Sequence, residues 1–195
     1  MTETALPVRR AGDRIRAAAR DLFYRLGIRA VGIEQIVAQA GVTKPSLYRA
    51  FASKDELAAV YLQDYSRAVF ERFHAVIAAH PGDPRAQIRA WMKGLAHQAT
   101  RSAHRGCGVT NAVVEYPDAT HPVWAAAEDH KHQLREVLAE MAAAMGARDP
   151  QGLGDGLMLL MEGANASGQL FGPGGPASHV ADAAEALIEA HLERS

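Results

Sequence analysis

From Arg9 to Leu192 the apolar residues of this 195-residue chain recur at intervals of three and four, and no stretch alternates apolar with polar β-branched residues long enough to make a strand. A chain patterned this way can cover its apolar faces only by packing helix on helix, so the predicted fold class is all-α. The clearest segment is Arg9–Leu26. There Ile15, Ala18, Ala19, Leu22, Phe23 and Leu26 form one stripe, and Arg14, Arg16, Arg20 and Asp21 take the remaining surface. Gly27 follows as its stop.

A short second helix is expected from Ile33 to Ala40, with Ile33, Ile36 and Val37 turned inward. Gly41 ends it, supplying the left-handed conformation of a tight turn. Thr43 offers a hydroxyl N-cap and Pro45 a first-turn proline for a third helix reaching about Phe51, with Leu47 and Phe51 facing in. Ser53 and Glu56 have the spacing of a capping box for a long fourth helix, which carries Leu57, Val60, Tyr61, Tyr65, Phe73, Val76 and Ile77 until Pro81–Pro84 breaks it. Further helices are predicted at about Arg85–Ser102, Val109–Tyr116 and Val123–Met145. Asp149-Pro150 opens an eighth that runs to about Leu170, and a Gly/Pro loop separates it from a ninth, capped by Ser178.

Composition narrows the function classes. No apolar run approaches the ~20 residues needed to cross a bilayer, and Met1–Val8 lacks the apolar core of a secretory signal. The single cysteine, Cys107, excludes an internal disulfide and fits a reducing cytoplasm. The overall net charge of -1 conceals an asymmetry: residues 1–55 hold 10 Lys/Arg against 5 Asp/Glu, and the rest holds 11 against 17. A basic N-terminal quarter on an acidic remainder is what a chain needs if one end meets a polyanion.

The span Gly32–Phe51 reads as helix, glycine turn, helix. Beside the inward set Ile36, Val37, Val42, Leu47 and Phe51 stands a polar outward set, Thr43, Lys44, Ser46, Tyr48 and Arg49. Hydroxyls, cations and one aromatic at a helix N-terminus suit phosphate and base-edge contacts, as in a helix-turn-helix. The run Gly41-Val42-Thr43-Lys44-Pro45-Ser46-Leu47-Tyr48-Arg49-Ala50-Phe51-Ala52-Ser53-Lys54-Asp55-Glu56-Leu57, with Ile15–Leu26, Gly27 and Ile33–Val37 upstream in the same order and spacing, resembles the signature of the TetR family of bacterial transcription regulators over residues 9–60.

That resemblance implies a helix-turn-helix DNA-binding domain at 1–52 and a helical effector-binding and dimerisation domain at 53–195, about nine helices in all. Thr43, Lys44, Pro45, Ser46, Tyr48, Arg49 and Lys54 fall where family members meet double-stranded DNA. Tyr48 and Lys54 match phosphate contacts, and Arg49 is the choice for base readout, since a bidentate guanidinium on guanine gives ~1–3 kcal/mol of discrimination. Three positions depart from the usual pattern: Gly32 replaces a capping Ser or Thr, Pro45 a small residue, and Ala50 an aromatic or histidine.

The eighth and ninth helices are rich in glycine and alanine, a composition suited to close backbone approach, and the resemblance implies that they pair with their copies in a homodimer. Candidate effector contacts are Trp91, Met92, Leu95, Cys107, Asn111, Tyr116, Trp124, Met158, Met161, Glu162 and Asn165, a mainly apolar set with a few polar groups. Cys107, near His104 and Arg105, also invites a redox-sensor reading, although an inert small hydrophobe is favoured. Asp129, His130 and His132 do not share one helical face, so they are read as solvated residues and no metal is expected. No cofactor is implied. An enzyme using Cys107 and a histidine lacks any phosphate loop, paired carboxylates or zinc signature, and is set aside.

Overall fold

The computed structural model describes residues 10–192. The readings of Met1–Val8 and of a first helix beginning at Arg9 fall outside them. Among the described residues there are nine α-helices, one 3-10 turn and no strand.

Three helices form the N-terminal unit: α1 (Ala11–Leu26), α2 (Ile33–Ala40) and α3 (Lys44–Ala50). Their shared core holds Ile15, Ala19, Leu22 and Phe23 of α1, Ile36 and Val37 of α2, and Leu47 of α3. Burying a side chain of this size contributes ~1.5–3 kcal/mol, so these contacts, more than helix propensity, fix three short helices that would fray alone. Leu26 departs from the expected stripe: it stands half exposed where α1 gives way to Gly27. Gly27 and Gly41 both take positive φ, +90° and +61°, which L side chains rarely adopt. The guanidinium of Arg14 donates to the Gly41 carbonyl at 3.2 Å and braces the turn between α2 and α3.

The caps follow the sequence closely. Thr43 Oγ1 accepts the Ser46 N–H, and Ser53 Oγ accepts the Glu56 N–H at 3.0 Å to open α4 (Lys54–Ala79). The return half of the box differs by one residue: the Glu56 carboxylate takes the Ala52 N–H at 2.6 Å instead of that of Ser53.

Helix α4 joins two apolar cores. Leu57, Ala58, Tyr61 and Leu62 belong with the N-terminal helices, together with Val109 and Ala112 of α6 (Gly108–Glu115) and Val123 and Ala127 of α7 (Pro122–Ala144). Phe73 belongs with the second core, built from α5 (Pro84–Ala99), α7, α8 (Pro150–Phe171) and α9 (Val180–Leu192). Asp83 caps α5 and Asp149 caps α8, each with a proline in the first turn.

Helices α7 and α8 run antiparallel. Gly154 makes their approach possible, because a Cβ there would lie 2.9 Å from the Ala139 nitrogen. Arg135 adds a bidentate pair to Asp155 at 2.6 and 2.8 Å. Helix α9 is tied to α5 by Arg85, which reaches both Glu185 and Glu189. Ser178 does not cap α9. Pro176 starts a 3-10 turn that leads straight into the helix, and the Ser178 hydroxyl accepts the Gly174 N–H at 3.1 Å within the loop.

Candidate nucleic-acid interface and internal cavity

Helix α3 carries the outward set on a buried anchor. Leu47 is fully enclosed, whereas the neighbouring Tyr48 is 46% exposed and Arg49 is exposed as well. Thr43, Lys44 and Pro45 are exposed at the helix start, and Ser46 is half-buried. A local polar chain orders this face: Thr43 Oγ1 and Ser46 Oγ lie 2.9 Å apart, and Arg49 donates to Ser46 Oγ at 2.9 Å. Lys44 pairs with Glu34 of α2 at 2.7 Å, and that hydrogen bond holds its ammonium above the usual value. Lys54 is half-buried beneath the loop after α1 and donates to the Arg29 carbonyl at 3.4 Å, burial lowering its pKa.

The body contains a cavity of about 200 Å³ between α4, α5, α7 and α8. It gathers Trp91, Leu95, Cys107, Met161, Glu162 and Asn165 from the residues singled out in the sequence. The rest of the wall comes from Tyr65, Val69, Arg72 and Val76 on α4, Ala90, Gly94 and Gln98 on α5, and His130, Lys131 and Leu134 on α7. One sequence signal points to these helices. Positions 65, 69, 72 and 76 make one helical row that sets an arginine in an apolar stripe, and Gln98 does the same in the row of Trp91 and Leu95.

The end of the cavity toward α6 is polar. Lys131 and Glu162 form an ion pair, Thr110 Oγ1 donates to the second Glu162 oxygen at 2.7 Å, and Lys131 Nζ lies 3.6 Å from Cys107 Sγ. His130, read from sequence as solvated, is instead 2% exposed, because α7 packs it against Tyr65 and Phe70 of α4. Its Nδ1 meets Ser66 Oγ at 2.9 Å. Burial, and next the charge of Lys131, push its pKa down to about 4, so the ring is neutral near pH 7. Burial likewise raises the pKa of Tyr65 well above the usual phenol value.

The sequence profile of bacterial regulatory proteins of the tetR family matches residues 15–60. The structure of SCO4454, a TetR-family transcriptional regulator from Streptomyces coelicolor, is 33% identical over 94% of this chain and 96% of its own, with a TM-score of 0.85. This chain belongs to the TetR family. The sav143 protein of Streptomyces avermitilis is 30% identical, covering 91% of this chain and 99% of its own at a TM-score of 0.72. The reduced form of NemR from Escherichia coli, 18% identical over 95% of this chain and 98% of its own, shares the fold at a TM-score of 0.80. No curated protein sequence matches.

As a TetR-family chain the protein is a DNA-binding transcription regulator, and α2–turn–α3 is its helix-turn-helix. The remaining sequence candidates lie away from the cavity. Met92, one residue from Trp91 and so about 100° around α5, is fully enclosed in the second core. Asn111 donates to the Arg105 carbonyl at 2.5 Å. Tyr116 stacks on His121, and Trp124 donates to the Tyr116 carbonyl. Trp124 and Met158 line a separate groove between α6, α7 and α8. Among the described residues no three His, Cys, Asp or Glu gather as a metal site, and no helix is long and apolar enough to cross a membrane.

Helix α6 spans the distance from cavity to head. Cys107 precedes its first residue and Thr110 holds Glu162, both at the cavity end. At the other end Glu115 accepts the N–H groups of Ile28 and Arg29 in the loop between α1 and α2. Tyr24 of α1 adds a second tie, donating to the Gly106 carbonyl at 3.2 Å and accepting the Arg105 N–H at 3.1 Å.

Proposed function

We propose that the protein is a homodimeric cytoplasmic repressor that binds a palindromic operator and is released from it by a small organic effector. In this reading residues 1–52 form the reading head and 53–195 the effector-binding and dimerisation body. The observation that carries it is the outer face of α3, where Thr43, Lys44, Pro45, Tyr48 and Arg49 stand exposed around the enclosed anchor Leu47.

Thr43, Lys44, Ser46, Tyr48 and Lys54 position the head on phosphates, and Arg49 reads a guanine edge with Pro45 beside it in the groove. Lys44 exchanges Glu34 for a phosphate on binding. Two heads require two chains. Support for pairing through α8 and α9 is the outward row of α8, where Leu159 and Leu170 are 73% and 82% exposed and Gly163 and Ala166 between them are exposed too. A two-fold axis there sets half-site centres one helical turn, ~34–36 Å, or a multiple apart.

The effector enters the cavity beside Trp91, Leu95, Cys107, Met161, Glu162 and Asn165 and favours the arrangement of α6 in which the heads no longer match the groove. Regulation is then the difference in ligand affinity between two dimer states. The ties from α6 to Ile28, Arg29 and Tyr24 support this route. Met92, Asn111, Tyr116, Trp124 and Met158 stand outside the cavity wall and take no part in the effector contact in this reading.

A second reading, a redox-responsive regulator acting through Cys107, is favoured by one observation, the Lys131 ammonium 3.6 Å from the sulfur. The two readings separate on Cys107→Ser, which leaves DNA affinity indifferent to oxidant in the first and abolishes an oxidant response in the second. The function itself is tested by selecting bound sites from random duplexes with the purified protein. Enrichment of an inverted repeat supports the repressor geometry, and recovery of unenriched DNA rejects it.

A further inference from the structure

Resting on the cavity being the effector site, we infer that its ligand is an uncharged molecule, one aromatic ring with a short substituent that both donates and accepts hydrogen bonds. The Lys131–Glu162 pair is the element that rejects organic anions and cations of the same size.

Size is the first argument. An apolar cavity of ~150 Å³ takes a benzene ring, whereas pockets for drug-sized molecules run from ~300 Å³ upward. The 200 Å³ present here holds one ring and a small polar group, with the exposed Arg72, Gly94 and Gln98 marking its open side. The rings of Tyr65 and Trp91 in the wall favour a flat, aromatic partner.

Charge is the second. Both Glu162 oxygens are occupied, one by Lys131 and one by Thr110, and Lys131 spends a further donor on Cys107. This partly buried end therefore carries compensating charges, and the neutral His130 adds none. An anion that reaches the remaining Lys131 donor meets the Glu162 carboxylate beside it, and a cation that reaches Glu162 meets the Lys131 ammonium. Drawing either partner out of the pair strands the other charge in a partly buried site. Arg72 is the one further charge in the wall; it is exposed, so water screens its pull on a ligand inside.

Available partners are the third. The half-buried side-chain amide of Asn165 lines the cavity and makes no hydrogen bond among the described residues, its backbone carbonyl alone facing His104. The buried Trp91 Nε1 has no partner there either, and Gln98 stands at the exposed rim. A primary amide offers two N–H donors and a carbonyl acceptor, and is best answered by a neutral group that both donates and accepts.

The test uses three probes of nearly equal size, benzamide, benzoate and benzylammonium, at pH 7 and fixed ionic strength. Trp91 lines the cavity and Trp124 does not, so Trp124→Phe leaves one fluorophore that reports occupancy of this site. Benzamide is expected to quench Trp91 and bind at least about tenfold tighter than either ion. Glu162→Gln is expected to reverse the order in favour of benzoate, and Lys131→Met in favour of benzylammonium. Equal or tighter binding of either ion by the unaltered Lys131–Glu162 pair overturns the inference while leaving the cavity an effector site. No response of Trp91 to any of the three removes the effector reading of the cavity and the inference with it.

Discussion

The carboxylate of Glu115, on the last turn of α6, accepts the backbone N–H of Ile28 at 3.1 Å across 87 residues of sequence. Its other oxygen takes the Arg29 N–H at 2.7 Å. A loop that would otherwise leave two donors to water is thus bound to the helix that starts at the cavity. Glu115→Gln keeps the shape but loses the charge-assisted acceptor, since each hydrogen bond to a charged group contributes ~1.5–3 kcal/mol before solvent exposure is discounted. We predict a loss of about 2 kcal/mol in denaturant unfolding. Amide exchange at Ile28 and Arg29 should quicken far more than in α1. Unchanged exchange at those two amides would show that the tie is not formed in solution.

Arg49 and Lys54 separate reading from holding. Arg49→Ala is expected to lower operator affinity by ~1–3 kcal/mol while leaving binding to random duplex nearly intact. Lys54→Ala is expected to weaken both equally and to reduce the slope of log affinity against log salt by about one. Titrations on the two duplexes at several salt concentrations distinguish the pair, and equal losses for Arg49→Ala would remove its base-reading role.

Gly154 and Gly163 occupy one helix yet should behave oppositely. A Cβ at Gly154 meets the α7 backbone at 2.9–3.2 Å, so Gly154→Ala forces helices apart and costs ~1–3 kcal/mol of stability. Around Gly163 there is open space within the chain. Gly163→Arg should leave folding of the single chain intact but place a charge in the proposed dimer face. Sedimentation should then report monomer, with operator binding lost. A Gly163→Arg protein that remains dimeric would move the interface elsewhere.

His130 gives the fold a pH dependence with a definite sign. The ring is buried and neutral in the folded chain with a pKa of about 4, whereas an unfolded histidine titrates near 6.5. Between these values the unfolded state binds more protons, so stability is complete above about pH 6.5 and falls as pH drops toward 4. The group contributes roughly 3 kcal/mol across that window. His130→Gln, which keeps a hydrogen-bonding partner for Ser66, should flatten the unfolding free energy between pH 6.5 and 4. A slope unchanged by the substitution would assign it to other groups.

The fold was legible where local chemistry decides it. The Thr43, Ser53 and Asp149 caps and the Gly27 and Gly41 turns each read correctly because the residues that make them lie within four positions of one another. The cavity was less legible, because its wall is a property of four helices at once. Val69 and Leu134 have the spacing of core residues and also line it, whereas Met92 differs from Trp91 only by its angle around α5. His130 looked solvated because its neighbours in sequence are polar; the aromatic residues that bury it, Tyr65 and Phe70, come from α4. Ser178 has the composition of a cap, but Pro176 two residues earlier starts the turn first.

The central claim is that two copies of the α3 face are held at one separation by a shared base. It is tested most directly by binding the purified protein to its selected duplex and to the same duplex with the half-sites moved apart by five base pairs, half a helical turn. The account predicts that the shift turns one half-site to the far side of the DNA and lowers affinity roughly a hundredfold or more, to near the level of random sequence. Equal affinity for the two duplexes, or no binding to either at low salt, would contradict it.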